Sequence, residues 1–337
     1  MRRMKFSFQF VALFAVVANG FSEEHAWNDY KLKHGKDYTT FCGGGWRDKM
    51  RKDIFIAERQ LVNQYNSNES RSYSQELNRF SDMWPSEKSK YLGLKSSRAP
   101  SIQFMKSIQR YYPLLNNRQS LPAELDYRSD DCMAAIKDQG PCGSCWAFAA
   151  VTPLEFNSCK KHRQTPVALS EQQLVDCDIF NNGCNGGWYT QAWQHIKLAG
   201  GLARESLYPY TATRNFCPFW FLWFMTGARV FRYDYAPAND AVAMQSALQQ
   251  YGPLTVAIAI ANSFFSYKDG VYDATDCDNV DVNHAVVVVG WGNKDGVDYW
   301  IIRNSWGTGW GLSGYGLIHR GVNKCKMESY PAYVRPL

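Results

Sequence analysis

Histidine is scarce in this chain: six residues out of 337. A chemistry that needs an imidazole therefore has few places to find one. No second Cys/His pair with zinc-like spacing stands near Cys142 and Cys145, which leaves a metal reading of those two cysteines weak. The apolar run Phe6 to Val17 is shorter than the roughly 20 residues a helical membrane span requires, and no other run is longer. No internal repeat is visible. The glycosylation sequon occurs once, at Asn68-Glu69-Ser70. A disordered chain is excluded by composition, since 45% of residues are hydrophobic.

Charge is unevenly spread. The first 120 residues hold 20 Lys+Arg and 11 Asp+Glu; the remaining 217 hold 17 and 20. A basic leader on a mildly acidic body argues against a nucleic-acid-binding core. It suits a leader that docks on the body and later leaves. At the N-terminus, Arg2, Arg3 and Lys5 precede Phe6 to Val17, and Ala18-Asn19-Gly20 offers small residues. This reads as a secretory signal peptide over 1–20 and hence an oxidising route.

Residues 23–66 carry periodic apolar positions (Trp27, Tyr30, Phe55, Leu61, Val62, Tyr65) and read as amphipathic helices interrupted at Gly43-Gly44-Gly45. Residues 96–120 read as a linker. From Leu121 to about 205 the chain reads helical and loop-rich. From about 228 it reads as strands: Pro253 to Ile260, His284 to Trp291, Asp298 to Arg303 and Tyr315 to His319. Helices followed by strands imply an α+β architecture with a cleft between the halves.

The stretch Gln139-Gly140-Pro141-Cys142-Gly143-Ser144-Cys145-Trp146-Ala147-Phe148 holds two cysteines three apart. They could be a dithiol redox pair, half of a metal site, or two residues with separate tasks. Cys145 opens an apparent helix with Ser144 as N-cap candidate, where the backbone dipole lowers a thiol pKa. Cys142 lacks that placement. His284, before an apolar strand, is a candidate base, although a lone histidine beside such a run is more often structural. Asn304, in Asn304-Ser305-Trp306-Gly307, could hold an imidazole in one tautomer, with the Trp306 indole as a shield.

Together these motifs, with Gly309-Trp310-Gly311, resemble the papain family of cysteine peptidases, its cathepsin L-like group in particular. Cys-Gly-Ser-Cys-Trp followed far downstream by His and Asn is a specific combination. The resemblance covers nearly all of 121–337. It implies a papain-like two-subdomain fold: a mainly helical half over about 121–227, an antiparallel β-barrel-like half over about 228–337, and a cleft between. It implies Cys145 as nucleophile, His284 as base and acid, Asn304 as the group orienting His284, and Trp306 covering that contact. Gln139 and the backbone N–H of Cys145 would form the oxyanion hole, and the resting state would be a thiolate–imidazolium pair. No cofactor and no metal are expected. Of the ten cysteines, Cys42 lies in the leader, leaving nine; the family pattern pairs Cys142 with Cys184, Cys177 with Cys217, and Cys277 with Cys325, and with Cys145 as the free nucleophile elimination leaves Cys132 with Cys159. Gly186 and Gly187 would pair with substrate backbone. Trp188, Tyr189, Ala257, Val282 and Ala285 would form an apolar specificity pocket.

Residues 21–120 resemble the inhibitory propeptide of the same group. Arg51, Phe55, Val62 and Asn66 follow its long helix, while Arg47 and Glu58 replace its usual Glu and Asn. Asn78, Phe80 and Asp82 match its second motif, with Glu76 in place of a glycine. The resemblance implies a leader lying through the cleft in the non-productive direction, cut near Leu121 and released by acid. The implied partners are protein or peptide substrates, the chain's own propeptide and cystatin-type inhibitors; no nucleic acid and no transmembrane segment are expected. The implied location is lysosomal or extracellular. A catalytically silent homologue acting as a binding or regulatory protein is the alternative.

Three features depart from the pattern. Cys217 to Met225 is strongly apolar, readable as a partner- or membrane-touching patch, as extra core, or as a translated non-coding segment. Pro153 sits inside the helix expected from Cys145, where proline removes a hydrogen bond and costs ~3 kcal/mol unless a kink accommodates it. Only four residues separate Cys325 from Tyr330, Lys326 replaces a usual glycine, and a charge such as Glu328 near the pocket floor would alter the preference.

Overall fold

A computed structural model describes residues 23–39, 44–111, 121–218 and 226–337. The signal-peptide expectation at 1–20, Cys42, the residues just before the expected cut, and the apolar stretch over 219–225 lie outside the described residues. The chain divides into two units: Met1–Glu69 with Leu77–Trp84, and Ser70–Glu76 with Pro85–Leu337.

In the smaller unit a helix over 23–34 precedes the long helix Gly44–Asn66. Trp27, Tyr30 and Phe55 form its core, with the Tyr30 and Phe55 rings 4.6 Å apart. Val62 is buried, whereas Leu61, expected on the apolar face, is exposed. Asp82 is the polar hub. Fully buried, its carboxylate accepts from the Tyr30 hydroxyl and Lys36 Nζ, both at 2.8 Å, and from the Tyr38 hydroxyl. Arg51 Nη1 donates to its backbone carbonyl at 2.8 Å. A buried carboxylate is tolerable only when so paired.

The larger unit is built around one helix, Cys145–His162, whose first fourteen residues are buried apart from Asn157. Lys160, Lys161 and His162 fill its last turn, where positive charge suits the helix dipole. Arg163 ends it in the left-handed conformation (φ 50°). Pro153 is accommodated without ending the helix. Proline has no N–H for the Ala149 carbonyl, and Thr255 Oγ1, from a neighbouring strand, donates to that carbonyl at 2.5 Å. Helices Glu171–Cys177, Tyr189–Leu198 and Ala241–Tyr251 complete the main helical framework.

The strands are β1 (Tyr73–Gln75), β2 (Leu125–Asp126), β3 (Leu202–Ala203), β4 (Thr226–Ala228), β5 (Val230–Tyr235), β6 (Leu254–Ile258), β7 (Tyr267–Tyr272), β8 (His284–Lys294), β9 (Val297–Arg303), β10 (Tyr315–His319) and β11 (Ala332–Pro336). The main sheet runs β1-β7-β10-β9-β8-β6-β11-β5, with β2 on β8; β3 and β4 form a second sheet. Its two ends do not meet, so the strand half is an open sheet and not a closed barrel. Pairing is antiparallel except between β7 and β10, which is parallel, a correction to the all-antiparallel expectation.

Strand β8 is buried from His284 to Gly292. It lies between β6 and β9 with the Cys145–His162 helix packed on it, which is why it reads as a continuous apolar run. Leader residues contribute too. Tyr73–Gln75 adds an edge strand to β7. The expected linker contains the helix Ile102–Tyr111, which Ser101 Oγ caps by accepting from the Phe104 N–H at 3.2 Å; Met105 on it is buried.

Candidate active site

Cys145 opens the central helix and is fully buried. Ser144 does not cap this helix with its side chain; its Oγ instead bonds the Tyr210 hydroxyl at 2.6 Å. The preceding loop is held by the Cys142–Cys184 disulfide and by Gly143 N–H donating to the Cys184 carbonyl at 3.0 Å. Further disulfides join Cys132–Cys159, Cys177–Cys217 and Cys277–Cys325. Cys145 is the free thiol among the described residues.

His284 begins β8 and is fully buried. Its Nε2 lies 2.9 Å from Asn304 Oδ1, just past β9. The same oxygen accepts from the Ser305 N–H at 2.8 Å, which fixes the orientation of the amide. Nε2 must therefore carry the proton, and Nδ1 keeps its lone pair. Nδ1 is buried without a hydrogen-bond partner. The Trp306 ring lies over this contact, 4.8 Å from the imidazole, and is stacked at 4.8 Å on Phe265.

Gln139 uses every polar atom it has. Its backbone N–H donates to the Ser305 carbonyl at 2.9 Å and its carbonyl accepts from the Tyr210 hydroxyl at 2.7 Å. Oε1 accepts from Ser305 Oγ at 2.7 Å. Nε2 donates to the Cys142 carbonyl at 2.9 Å and to the Tyr91 carbonyl at 3.0 Å. Ser305 and Tyr210 were not anticipated. Ser305 stands inside the Asn304–Gly307 motif and could have been singled out there; nothing around Tyr210 in the sequence points to the thiol 65 positions earlier.

Leader residues 91–95 run across this group. The Gly93 N–H donates to Cys145 Sγ at 3.3 Å. Gly187 N–H donates to the Gly93 carbonyl at 2.9 Å, Lys95 N–H to the Gly187 carbonyl at 3.1 Å, and Leu94 N–H to the Asn283 carbonyl at 3.0 Å. The pairing with Gly187 is parallel. Glycine is required at 93, because a Cβ there would sit 1.9 Å from the Gly143 carbonyl oxygen. The Cys145 sulfur thus faces a backbone N–H of the leader.

Burial dominates the electrostatics. It pushes the Cys145 thiol up to about 11 against several backbone hydrogen bonds. It pushes the His284 imidazole down to about 4, against the Asn304 hydrogen bond and the Tyr91 carbonyl, which favour the charged ring. In this leader-covered state burial favours the neutral form of both groups.

Trp188, Tyr189, Ala257, Val282 and Ala285 belong to one buried apolar cluster that also contains Leu94. Gly186 and Gly187 lie beside the leader backbone; a Cβ at Gly186 would meet the Gly93 carbonyl oxygen at 2.4 Å. Glu328 is buried, and its carboxylate accepts from Trp300 Nε1 at 2.9 Å and from the Gly321 N–H at 2.7 Å. It is committed to holding the loop before Cys325. Among the described residues no group of three or more His, Cys, Asp or Glu is suited to a metal, and no helix is long and apolar enough to cross a membrane.

A family model described as papain family cysteine protease matches residues 121–335, and one described as cathepsin propeptide inhibitor domain (I29) matches 27–87. A cathepsin L-like proteinase of Fasciola hepatica is 35% identical over 315 residues, 91% of this chain and 92% of the relative. Digestive cysteine proteinase 1 of Homarus americanus is 34% identical, over 88% of this chain and 90% of its own. Among solved structures, digestive procathepsin L2 from Tenebrio molitor larval midgut superposes with a TM-score of 0.84 at 31% identity, covering 93% of this chain and 99% of that one.

Proposed function

Because the chain belongs to the papain family of cysteine proteases and carries a propeptide inhibitor domain of the cathepsin type, we propose that it is a cysteine endopeptidase zymogen working through Cys145, His284, Asn304 and Gln139. The observation that carries this reading is the double engagement of leader residues 91–93. One of their carbonyls sits on Gln139 Nε2 and one of their amides on Cys145 Sγ. A propeptide that blocks a nucleophile and an oxyanion donor together is what an inhibited peptidase needs.

With 91–95 withdrawn, water reaches the site and the desolvation that keeps thiol and imidazole neutral is relieved. His284 Nδ1 takes the Cys145 proton, and Asn304 holds the ring so that the imidazolium stays aligned. The thiolate attacks a peptide carbonyl carbon. The oxygen, now negative, is held by Gln139 Nε2–H and the Cys145 backbone N–H. His284 returns its proton to the leaving nitrogen, the C–N bond breaks and a thioester remains. Water, deprotonated by His284, attacks the thioester, and the acid leaves as the sulfur recovers its proton.

Trp188, Tyr189, Ala257, Val282 and Ala285 lie in the main buried apolar cluster, and their apolar and aromatic character supports a preference for an apolar or aromatic side chain two residues before the scissile bond. Leu94 in that cluster is consistent with such an occupant. Protein substrates and cystatin-type inhibitors are the external partners of this reading. Among the described residues, four disulfides with one remaining thiol suit the secretory pathway, ending in the lysosome or outside the cell.

The test is to acidify purified precursor and add an epoxide inhibitor selective for papain-like thiols. The expected result is peptidase activity that disappears as Cys145 is covalently labelled. Neither cleavage nor labelling under any processing condition would refute the proposal and leave the silent-homologue alternative.

A further inference from the structure

We propose that the Tyr210 hydroxyl is a positioning group for the oxyanion site, fixing the distance between its two donors by tying together both ends of the loop that carries them. The inference rests on the assignment of Gln139 and the Cys145 N–H as those donors.

The donors are six residues apart, and the loop between them has one covalent anchor, the Cys142–Cys184 bridge near its middle. Its two ends meet on a single atom. Tyr210 Oη lies 2.7 Å from the Gln139 carbonyl oxygen and 2.6 Å from Ser144 Oγ, the residue before the nucleophile. The carbonyl can only accept, so the phenol proton goes to Gln139 and the serine proton to Tyr210. This makes a directed chain, Ser144 to Tyr210 to Gln139, across the mouth of the loop. Gln139 and Ser144 are fully buried, so neither has water as a substitute partner.

Tyr210 is itself held firmly. Its N–H donates to Glu205 Oε1 at 2.9 Å, and its ring stands edge-on to Phe148, centroids 4.9 Å apart. Phe148 lies one helical turn beyond Cys145, so the ring is referenced to the nucleophile's own helix. Burial pushes the phenol above its ordinary value, so it remains a donor throughout the working pH range. Tyr210 is not placed to touch substrate in this scheme; it acts through Gln139 and the Cys145 backbone.

The full-length precursor and its variants are matured at acid pH with added pepsin, so that processing does not depend on each variant's own activity. Tyr210→Phe is expected to lower kcat about tenfold, less than the 10²–10³-fold loss typical when a donor is removed outright, with KM within twofold. Alkylation of Cys145 by iodoacetamide, which forms no oxyanion, should be unchanged. The discriminating measurement is a double-mutant cycle: on a Gln139→Ala background, Tyr210→Phe should change kcat less than twofold. Full additivity, unchanged kcat, or a parallel fall in alkylation and kcat would overturn the proposal, the last by showing a merely structural role. If Tyr210→Phe does not fold, Ser144→Ala, which opens the other end of the chain, must give the same signature, and its absence overturns the proposal equally. A wild-type enzyme whose Cys145 neither alkylates nor cleaves peptide would instead defeat the underlying catalytic assignment.

Discussion

Gly93 shows how one residue without a side chain decides whether a leader inhibits. Any Cβ there would lie far inside contact distance of the Gly143 carbonyl oxygen. Gly93→Ala should therefore unseat residues 91–95, and iodoacetamide should label Cys145 in the intact Gly93→Ala precursor many-fold faster than in the wild type. Gln139→Ala should lower kcat by about 10²–10³-fold with little change in KM, measured on matured enzyme. The histidine carries a pH prediction. Its folded value, about 4, lies below the ordinary 6.5, so the unfolded chain binds a proton in that interval that the covered site refuses. The contribution of neutral His284 is fully present above about 6.5 and is lost progressively as pH falls toward about 4. In a Cys145→Ser precursor, which cannot process itself, the urea midpoint should fall over that window. The fall should be smaller in Cys145→Ser/His284→Asn. The family resemblance implies release by acid; a buried imidazole that must charge as pH falls gives that expectation a physical route.

At the level of elements, the central helix and β6 share an obligation created by Pro153. Thr255→Val removes the Thr255 Oγ1 donor from the Ala149 carbonyl and should destabilise by about 1–3 kcal/mol in urea unfolding. Adding Pro153→Ala restores a backbone donor and should recover most of the loss. Legibility differed among the elements for physical reasons. Strands β8, β9 and β10 were readable because they are long or centrally placed and densely apolar. Strands β5, β7 and β11 mix Arg, Lys, Asp and Tyr along their length and carry no such signal. The helix Ile102–Tyr111 was missed because its Ser- and Arg-containing surroundings resemble a linker, and Met105 is buried by tertiary packing that no local pattern announces.

For the whole molecule, the cysteine count makes the simplest prediction. After removal of the residues before Leu121, a non-reduced, denatured sample should yield one titratable thiol, at Cys145, with all eight others bridged. Peptide mapping that found Cys132 or Cys159 alkylated would contradict this. The residues the sequence puts forward for chemistry, Cys145, His284, Asn304 and Gln139, carry distinctive neighbours. Those that hold them, Tyr210 and the Tyr91–Lys95 segment, act through backbone atoms and single hydroxyls brought in from distant positions, and such contacts leave no periodicity to read. The leader's short strand has a consequence of another kind. Tyr73–Gln75 covers the outer edge of β7, so maturation that removes it converts a paired ladder into an open template for association between molecules. Two charged residues, Lys268 and Asp269, and the left-handed Gly270 (φ 89°) lie along that newly bared edge. Charged side chains on a bared edge discourage edge-to-edge growth, so Lys268 and Asp269 would protect a chain that has lost its leader at the place where the strand was stripped.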